Sequence, residues 1–258
     1  LKKYYFSEKK IKILNQYCKK LGIKFLASVF DEKSLEKYIR LKPDYIKLPS
    51  PEINNIFLLK KIKKIKKNIP IIFSTGMSTN KDILNVFKIL GKNKTLIPMY
   101  CVSSYPTKVS EINLKKFINL KKKYKYIGLS DHTRSLETSI ICTYFSAKII
   151  ERHLTLNKKL KGPDHSSSLD PIEFEKFIRS VRNTEILRSN HIKDNYEVKN
   201  KKFVRKILVA RKKIKKGDLF TIKNVTCKRS GLNGIEPMLF DKIENKVSKK
   251  NYLKNEKI

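Results

Sequence analysis

Apolar residues gather in six short runs along the chain: IKFLASVF (23–30), YIKLPS (45–50), IPIIFSTG (69–76), LIPMYCVSSY (96–105), YIGLSDH (126–132) and AKIIERH (147–153). The runs are nearly continuous in apolar character and rich in β-branched residues, which marks strands buried on both faces. Between them the spacing changes to that of a helix, as in Ile11, Leu14, Cys18 and Leu21, or Leu84, Val86, Phe87 and Leu90. Buried strands alternating with amphipathic helices predict an α/β fold with a parallel sheet.

The ends of the runs choose between two such folds. Ser28, Ser50 with Glu52, Ser74-Thr75-Gly76, Ser103 with Tyr105, Ser130 with His132, and His153 all fall at or just beyond a C-terminal strand end. A (β/α) barrel gathers all those ends at one mouth. An open doubly wound sheet places its chemistry at a switch point and usually carries a glycine-rich phosphate loop. Neither GxGxxG nor GxxxxGK[ST] occurs. The expectation is a TIM-type barrel, although six units are visible where closure takes eight.

The pattern changes after residue 170. In DPIEFEKF, Asp170 is a predicted N-cap, Pro171 the first helical residue and Glu173 the capping-box partner. A polar stretch follows, and from 204 short strands return with the turn-like KKGD and a glycine-containing loop. The predicted organisation is a barrel over 1–182, a linker over 183–203 and a small β-rich domain over 204–258.

The formal net charge is +37 over 258 residues. Such a charge would suit a nucleic acid or an anionic membrane. Its lysines, however, are spread through the whole chain and fall on polar helix faces, with no recognition motif beside them, so neither nucleic acid nor membrane is expected as a partner. Four separated cysteines without a CxxC pair, and no signal-like start, fit a reduced cytoplasm. The chain opens on Leu1 already leading into a helix, which suggests a fragment or a processed product.

His132 and His153, at equivalent ends of consecutive strands, could share one ion, or each could satisfy a local hydrogen bond; residue spacing leaves both readings open. Lys47, Ser50 and Glu52 put a cation, a hydroxyl and a carboxylate at one strand end, where Lys47 and Ser50 could bind a phosphate or carboxylate, or the lysine of an ordinary strand terminus could simply snorkel to water. Ser74, Thr75 and Gly76 offer hydroxyls and permissive backbone, but Ser-Thr-Gly is also an ordinary turn. In KGPDHSSSLD, Asp164 could act on a proton or merely belong to a surface turn. Arg229 is one of few arginines and offers a rigid fork, though surface arginines are common.

Taken together, FLASVFD, IKLPSPEINN, IIFSTGMST, YCVSSYPT, GLSDHT, IERHLTLNKKLKGPDHSSSLDP and ARKKIKKGDLFTIKNVTCKRSGLNGI resemble the sialic acid synthase family, and the last segment its antifreeze-like (SAF) domain. The resemblance implies condensation of phosphoenolpyruvate with N-acetylmannosamine or a related N-acyl amino sugar. It implies Mn²⁺ or Mg²⁺ on His132 and His153. Lys47, Ser50, Ser74 and Ser130, with Ser28 and Ser103, match positions holding the phosphate and carboxylate. Tyr105, Asp164 and Glu52 match the sugar side, with Glu52 and Asp164 as candidate catalytic residues. Arg229 matches an arginine that reaches the acyl group from the small domain of a domain-swapped homodimer.

Some positions depart from the family. Ser28 stands where Thr is usual, Ser103 for Asn, Tyr100 for His and Ser166 for the Lys of the neuraminate branch. These changes keep a legionaminate or pseudaminate synthase in view, with GPDH leaning away from the latter. A non-catalytic fragment that binds carbohydrate or polyanion is the alternative from another class. The resemblance begins at the approach to a third β/α unit, so the first two are expected to be lacking and the small domain to be short.

Overall fold

The computed structural model describes residues 6–189, 196–229, 231 and 233–258. Five of the six runs are strands, β1 (Ile46–Leu48), β2 (Ile71–Ser74), β3 (Leu96–Cys101), β4 (Gly128–Asp131) and β5 (Ile149–Arg152), paired in that order and all parallel. Helices α1 (Glu8–Lys20) and α2 (Glu32–Ile39) precede β1, and α3 (Ile56–Lys63), α4 (Asn80–Leu90), α5 (Leu114–Lys123) and α6 (Glu137–Tyr144) fill the crossovers. Short polar side chains start most of them: Asp31, Asn55, Thr79 and Asn113 each accept a backbone N–H of the first turn. After β5 comes α7 (Pro171–Arg188), opened by the expected capping box, in which Asp170 and Glu173 accept each other's backbone N–H at 2.9 and 3.0 Å.

The first run, 23–30, is not a strand as expected. It meets β1 through one bridge between Ser28 and Lys47 and one hydrogen bond from the Val29 N–H to the Lys47 carbonyl, 3.0 Å. Ile23, Leu26 and Phe30 are exposed, so little packing supports a longer ladder there.

Side chains alternate across the five strands, and the register sorts them into two faces. One face carries Ile46, Leu48, Ile71, Phe73, Leu96, Tyr100 and Leu129, packed against Leu58, Leu59, Ile62, Val86 and Phe117 of the helices. The other carries a smaller apolar layer of Ile72, Ile97 and Met99, joined by Ile149. Gly128 lies between them, where an added Cβ would stand 2.8 Å from the Ile149 carbonyl oxygen and 3.0 Å from Met99 Cγ. That interior has no room for a side chain at 128.

One residue pair measures the curvature. The register sets β1 and β5 four pairings apart, and neighbouring strands lie about 4.8 Å apart, so a flat sheet would hold them roughly 19 Å apart. Yet Lys47 Nζ reaches Glu151 Oε2 at 3.0 Å. The sheet is therefore rolled into a half-barrel around its inner face.

The chain divides into two compact units at Ser189–Asn190. The stretch 183–203, expected as a linker, is helical at both ends: α7 runs to Arg188, and α8 covers Tyr196–Val204. Residues 190–195 of that stretch lie outside the described residues. In the second unit β6 (Lys206–Ala210) and β7 (Val225–Arg229) pair antiparallel over a core of Leu208, Ala210, Ile214, Phe220 and Val225. Among the described residues no helix is long and apolar enough to cross a membrane.

The thiols report on this packing. Burial, helped by the Asp131 charge, pushes the Cys142 thiol up to about 12, and burial also raises Cys101, whereas Cys227 is exposed. Since the thiolate is the reactive form, brief iodoacetamide treatment near about pH 8 is expected to label Cys227 and spare Cys101 and Cys142. Peptide mass spectrometry reads the pattern, and rapid labelling of Cys142 in the folded protein would contradict the packing of α6.

Candidate active site

The parallel register stacks the inner face in layers. Ser74 follows Ile72 by two and pairs with Met99, level with Gly128 and Ile149, while Cys101, Ser130 and Glu151, two residues further along their own strands, pair with one another above them. Two residues further again are Gly76, Ser103, His132 and His153. The period of two thus carries the chain from an apolar floor through a polar layer to the mouth.

Lys47 crosses the polar layer. Its ammonium donates to Ser74 Oγ at 2.9 Å and to Glu151, while Ser130 Oγ donates to Glu151 Oε1 at 2.6 Å. The Lys47 side chain is 4% exposed and that of Glu151 37% exposed. Burial works to raise the Glu151 carboxyl, but the Lys47 charge and the bonds from Ser130 and Lys47 outweigh it, so the group is held below its ordinary value. Beside this pair, the Gly76 N–H donates to Ser50 Oγ at 3.1 Å. A Cβ at Gly76 would stand 2.8 Å from Ser50 Oγ and 2.1 Å from Ser103 Oγ, so only glycine lets these hydroxyls close over the backbone. Lys47, Ser50, Ser74, Ser103 and Ser130 are brought together as predicted from sequence.

The two imidazoles also meet. The rings of His132 and His153 lie 5.3 Å apart at 87°, and the Tyr105 ring is 4.2 Å from the first and 5.6 Å from the second. His132 Nδ1 is 2.7 Å from the Val102 carbonyl, which can only accept, so Nδ1 carries the proton and Nε2 keeps its lone pair. Ser130 Oγ, 3.4 Å from Nε2, has its proton committed to Glu151. Burial lowers the His132 pKa and so favours the neutral ring, against the Val102 bond, which favours the charged one. Asp164, in a left-handed turn with φ 67°, has Oδ2 3.8 Å from His153 Nδ1. Among the described residues no cluster of three His, Cys, Asp or Glu is arranged to hold an ion.

Among the described residues, two predicted residues of the first unit share no side-chain hydrogen bond with these groups, and a third belongs to the second unit. Ser28 is exposed on the half-paired run beside β1. Glu52 closes a short helical turn and accepts from Asn55 Nδ2 at 2.7 Å. Arg229 ends β7 in the second unit, exposed, with its neighbours Ser230 and Leu232 outside the described residues. A cavity of about 940 Å³ has Thr75, Cys101 and Ser103 in its wall, together with Thr79, Lys116 and Asn119 of the flanking helices.

Sequence reasoning passed over Glu151. The signal was present: in ERH, Glu151 precedes His153 by two, as Ser130 precedes His132 by two, so both pairs share a face.

The description of the NeuB family matches residues 1–193, and that of the SAF domain residues 205–257. The chain belongs to the NeuB family. This NeuB chain is 38% identical to the N,N'-diacetyllegionaminic acid synthase of Campylobacter jejuni, over 94% of this chain and 74% of that one. It is 32% identical to human N-acetylneuraminate-9-phosphate synthase, over 95% and 68%. Among solved structures it resembles the N-acetylneuraminic acid synthetase of Leptospira borgpetersenii, crystallised with citrate, with a TM-score of 0.68 and 28% identity over 77% of this chain and 72% of that one.

The Lys47–Glu151 pair makes an asymmetric prediction. Glu151→Gln leaves the buried ammonium without a counter-charge among the described residues and is expected to cost about 3 kcal/mol, the lower end for breaking a buried pair. Lys47→Met orphans a carboxylate that still touches water and Ser130, so the loss should be smaller. Urea midpoints of the two variants measure the difference; equal losses would mean that Lys47 is not the more deeply buried partner.

Proposed function

We propose that this protein condenses phosphoenolpyruvate with an open-chain N-acyl amino sugar to give a nonulosonic acid and phosphate. The observation that carries the reading is the adjacency, in one half-barrel mouth, of a cationic hydroxyl-lined cradle and two imidazoles flanked by a tyrosine. Lys47, Ser74 and Ser130, with Ser50, Ser103 and the Gly76 backbone, hold the phosphate and carboxylate through charge-assisted and neutral hydrogen bonds. The enol carbon forms a bond to the sugar's aldehyde carbon, water adds to the cationic carbon left behind, and phosphate departs with its bridging oxygen as that C–O bond breaks.

His132 and His153 fit a divalent ion, Mn²⁺ or Mg²⁺, because the Val102 carbonyl fixes His132 with Nε2 free to coordinate. When bound, such an ion would supply Lewis acidity to the aldehyde oxygen. Asp164, at the rim beside His153, and Glu52 serve the sugar side as candidate proton-transfer groups, and Tyr105 packs against the sugar. Ser28 extends the cradle at the edge of β1. The reading includes a cytoplasmic homodimer in which Arg229 of the small domain reaches the acyl group bound at the partner's mouth.

Two observations favour a legionaminate-type sugar over N-acetylmannosamine: the 38% identity with the Campylobacter jejuni enzyme, and Ser166 where the neuraminate branch has Lys. Phosphate release with Mn²⁺ and a panel of acylated hexosamines tests this. The diacetamido precursor of legionaminate is expected to give the highest kcat/KM, N-acetylmannosamine a lower one, and Lys47→Met to cut the rate by about 100-fold or more, as for loss of a charged contact made to the reacting group. Absence of sugar-dependent release from the wild-type protein would sink the proposal.

A further inference from the structure

The geometry points to the buried Asp131–Arg152 ion pair as the device that sets the spacing and orientation of His132 and His153. This rests on the reading that those two histidines share an ion.

Asp131 and Arg152 are the last residues of β4 and β5, paired directly in the register, and each immediately precedes one of the histidines. By alternation they face away from the mouth, on the side of the sheet covered by helices. Their side chains are 0% and 1% exposed, and Arg152 Nη1 donates to Asp131 Oδ2 at 2.5 Å. The guanidinium continues past the carboxylate: Nη2 donates to the Thr133 carbonyl at 2.9 Å and Nη1 to the Ser135 carbonyl at 2.9 Å. His132 is therefore held on both sides, through Asp131 before it and Thr133 after it, by the residue that carries His153. The cation sits 5.6 Å from the Phe177 ring of α7.

Asp131 is saturated as well. Its Oδ1 accepts from the Thr133 N–H at 2.9 Å and the Thr133 hydroxyl at 2.8 Å, and its Oδ2 accepts from Ser139 Oγ of α6 at 2.5 Å. A buried ion pair is weak evidence for stability, because desolvation offsets much of its attraction. Its rigidity is another matter. A planar guanidinium whose Nη1 and Nη2 reach three fixed acceptors at once constrains the two strand ends in a way that lysine, a single point donor, cannot reproduce. Arg152 and Asp131 are positioning residues that touch no substrate.

The test is Mn²⁺ binding by the full protein without substrate, read from the free-ion EPR signal, together with the Co²⁺ ligand-field spectrum. Wild type should bind, and His132→Ala should not. Arg152→Lys and Asp131→Asn should stay folded by far-UV circular dichroism, bind Mn²⁺ about 10-fold more weakly, as outer supports of metal ligands do, and shift the Co²⁺ band. Should a single variant unfold, Asp131→Asn/Arg152→Met carries the test, since it leaves no lone buried charge and keeps an acceptor for the Thr133 N–H. Wild-type affinity and an unshifted band in folded variants would overturn the positioning role while leaving the metal. No Mn²⁺ binding by wild type, or undiminished binding by His132→Ala, would instead overturn the ion site and the positioning role with it.

Discussion

Two charges from opposite edges of a five-stranded sheet meet at 3.0 Å, and that contact requires the curl on which the site depends. Lys47 and Glu151 are 104 residues apart in sequence. They touch because parallel strands twisted in one sense roll up, and because helices packed outside leave the inner face only enough volume for a thin apolar layer. Gly128 marks how tight that layer is.

Above the floor, polarity rises in steps of two residues. Ser74, Ser130 and the Lys47–Glu151 pair lie above the apolar floor, and Gly76, Ser103, His132 and His153 each stand two residues beyond the last inward-facing residue of their strands. The inner groups therefore neutralise one another: Glu151 balances Lys47, Ser130 balances Glu151, and no described buried side-chain donor or acceptor is left unpaired. Under the proposed function, an arriving phosphate would compete with Glu151 for Lys47 and enter a site whose hydroxyls already have fixed directions. Preorganisation of this kind keeps the reorganisation needed at the moment of reaction small. The opposite face supports it with rigid parts, the saturated Asp131–Arg152 network under the histidines and the apolar helix interface beneath that.

Much of this was legible in the chain itself. The alternation of apolar runs with helical spacing gave the class, and the serines and histidines at run ends located the mouth. The capping residue Asp170 marked a helix start where the structure has it. Less legible were edges and extents. The run at 23–30 has strand composition, but pairing on one side with exposed Ile23, Leu26 and Phe30 leaves it with a single bridge. The polar stretch at 183–203 looked like a linker because it lacks an apolar stripe, yet helix hydrogen bonds extend α7 to Arg188 and form α8 beyond it.

The sequence by itself determined the order of β/α units, which residues end each strand and therefore which groups could share a mouth, because period and polarity are local properties. Only the tertiary structure decided which of those groups meet. Ser74, Ser130, Lys47 and the unexpected Glu151 converge through register and curl, Gly76 admits two hydroxyls through close approach, and Glu52 turns to Asn55 instead. Register and curvature arise from the summed packing of five strands against their helices, and that sum is not written at any one position.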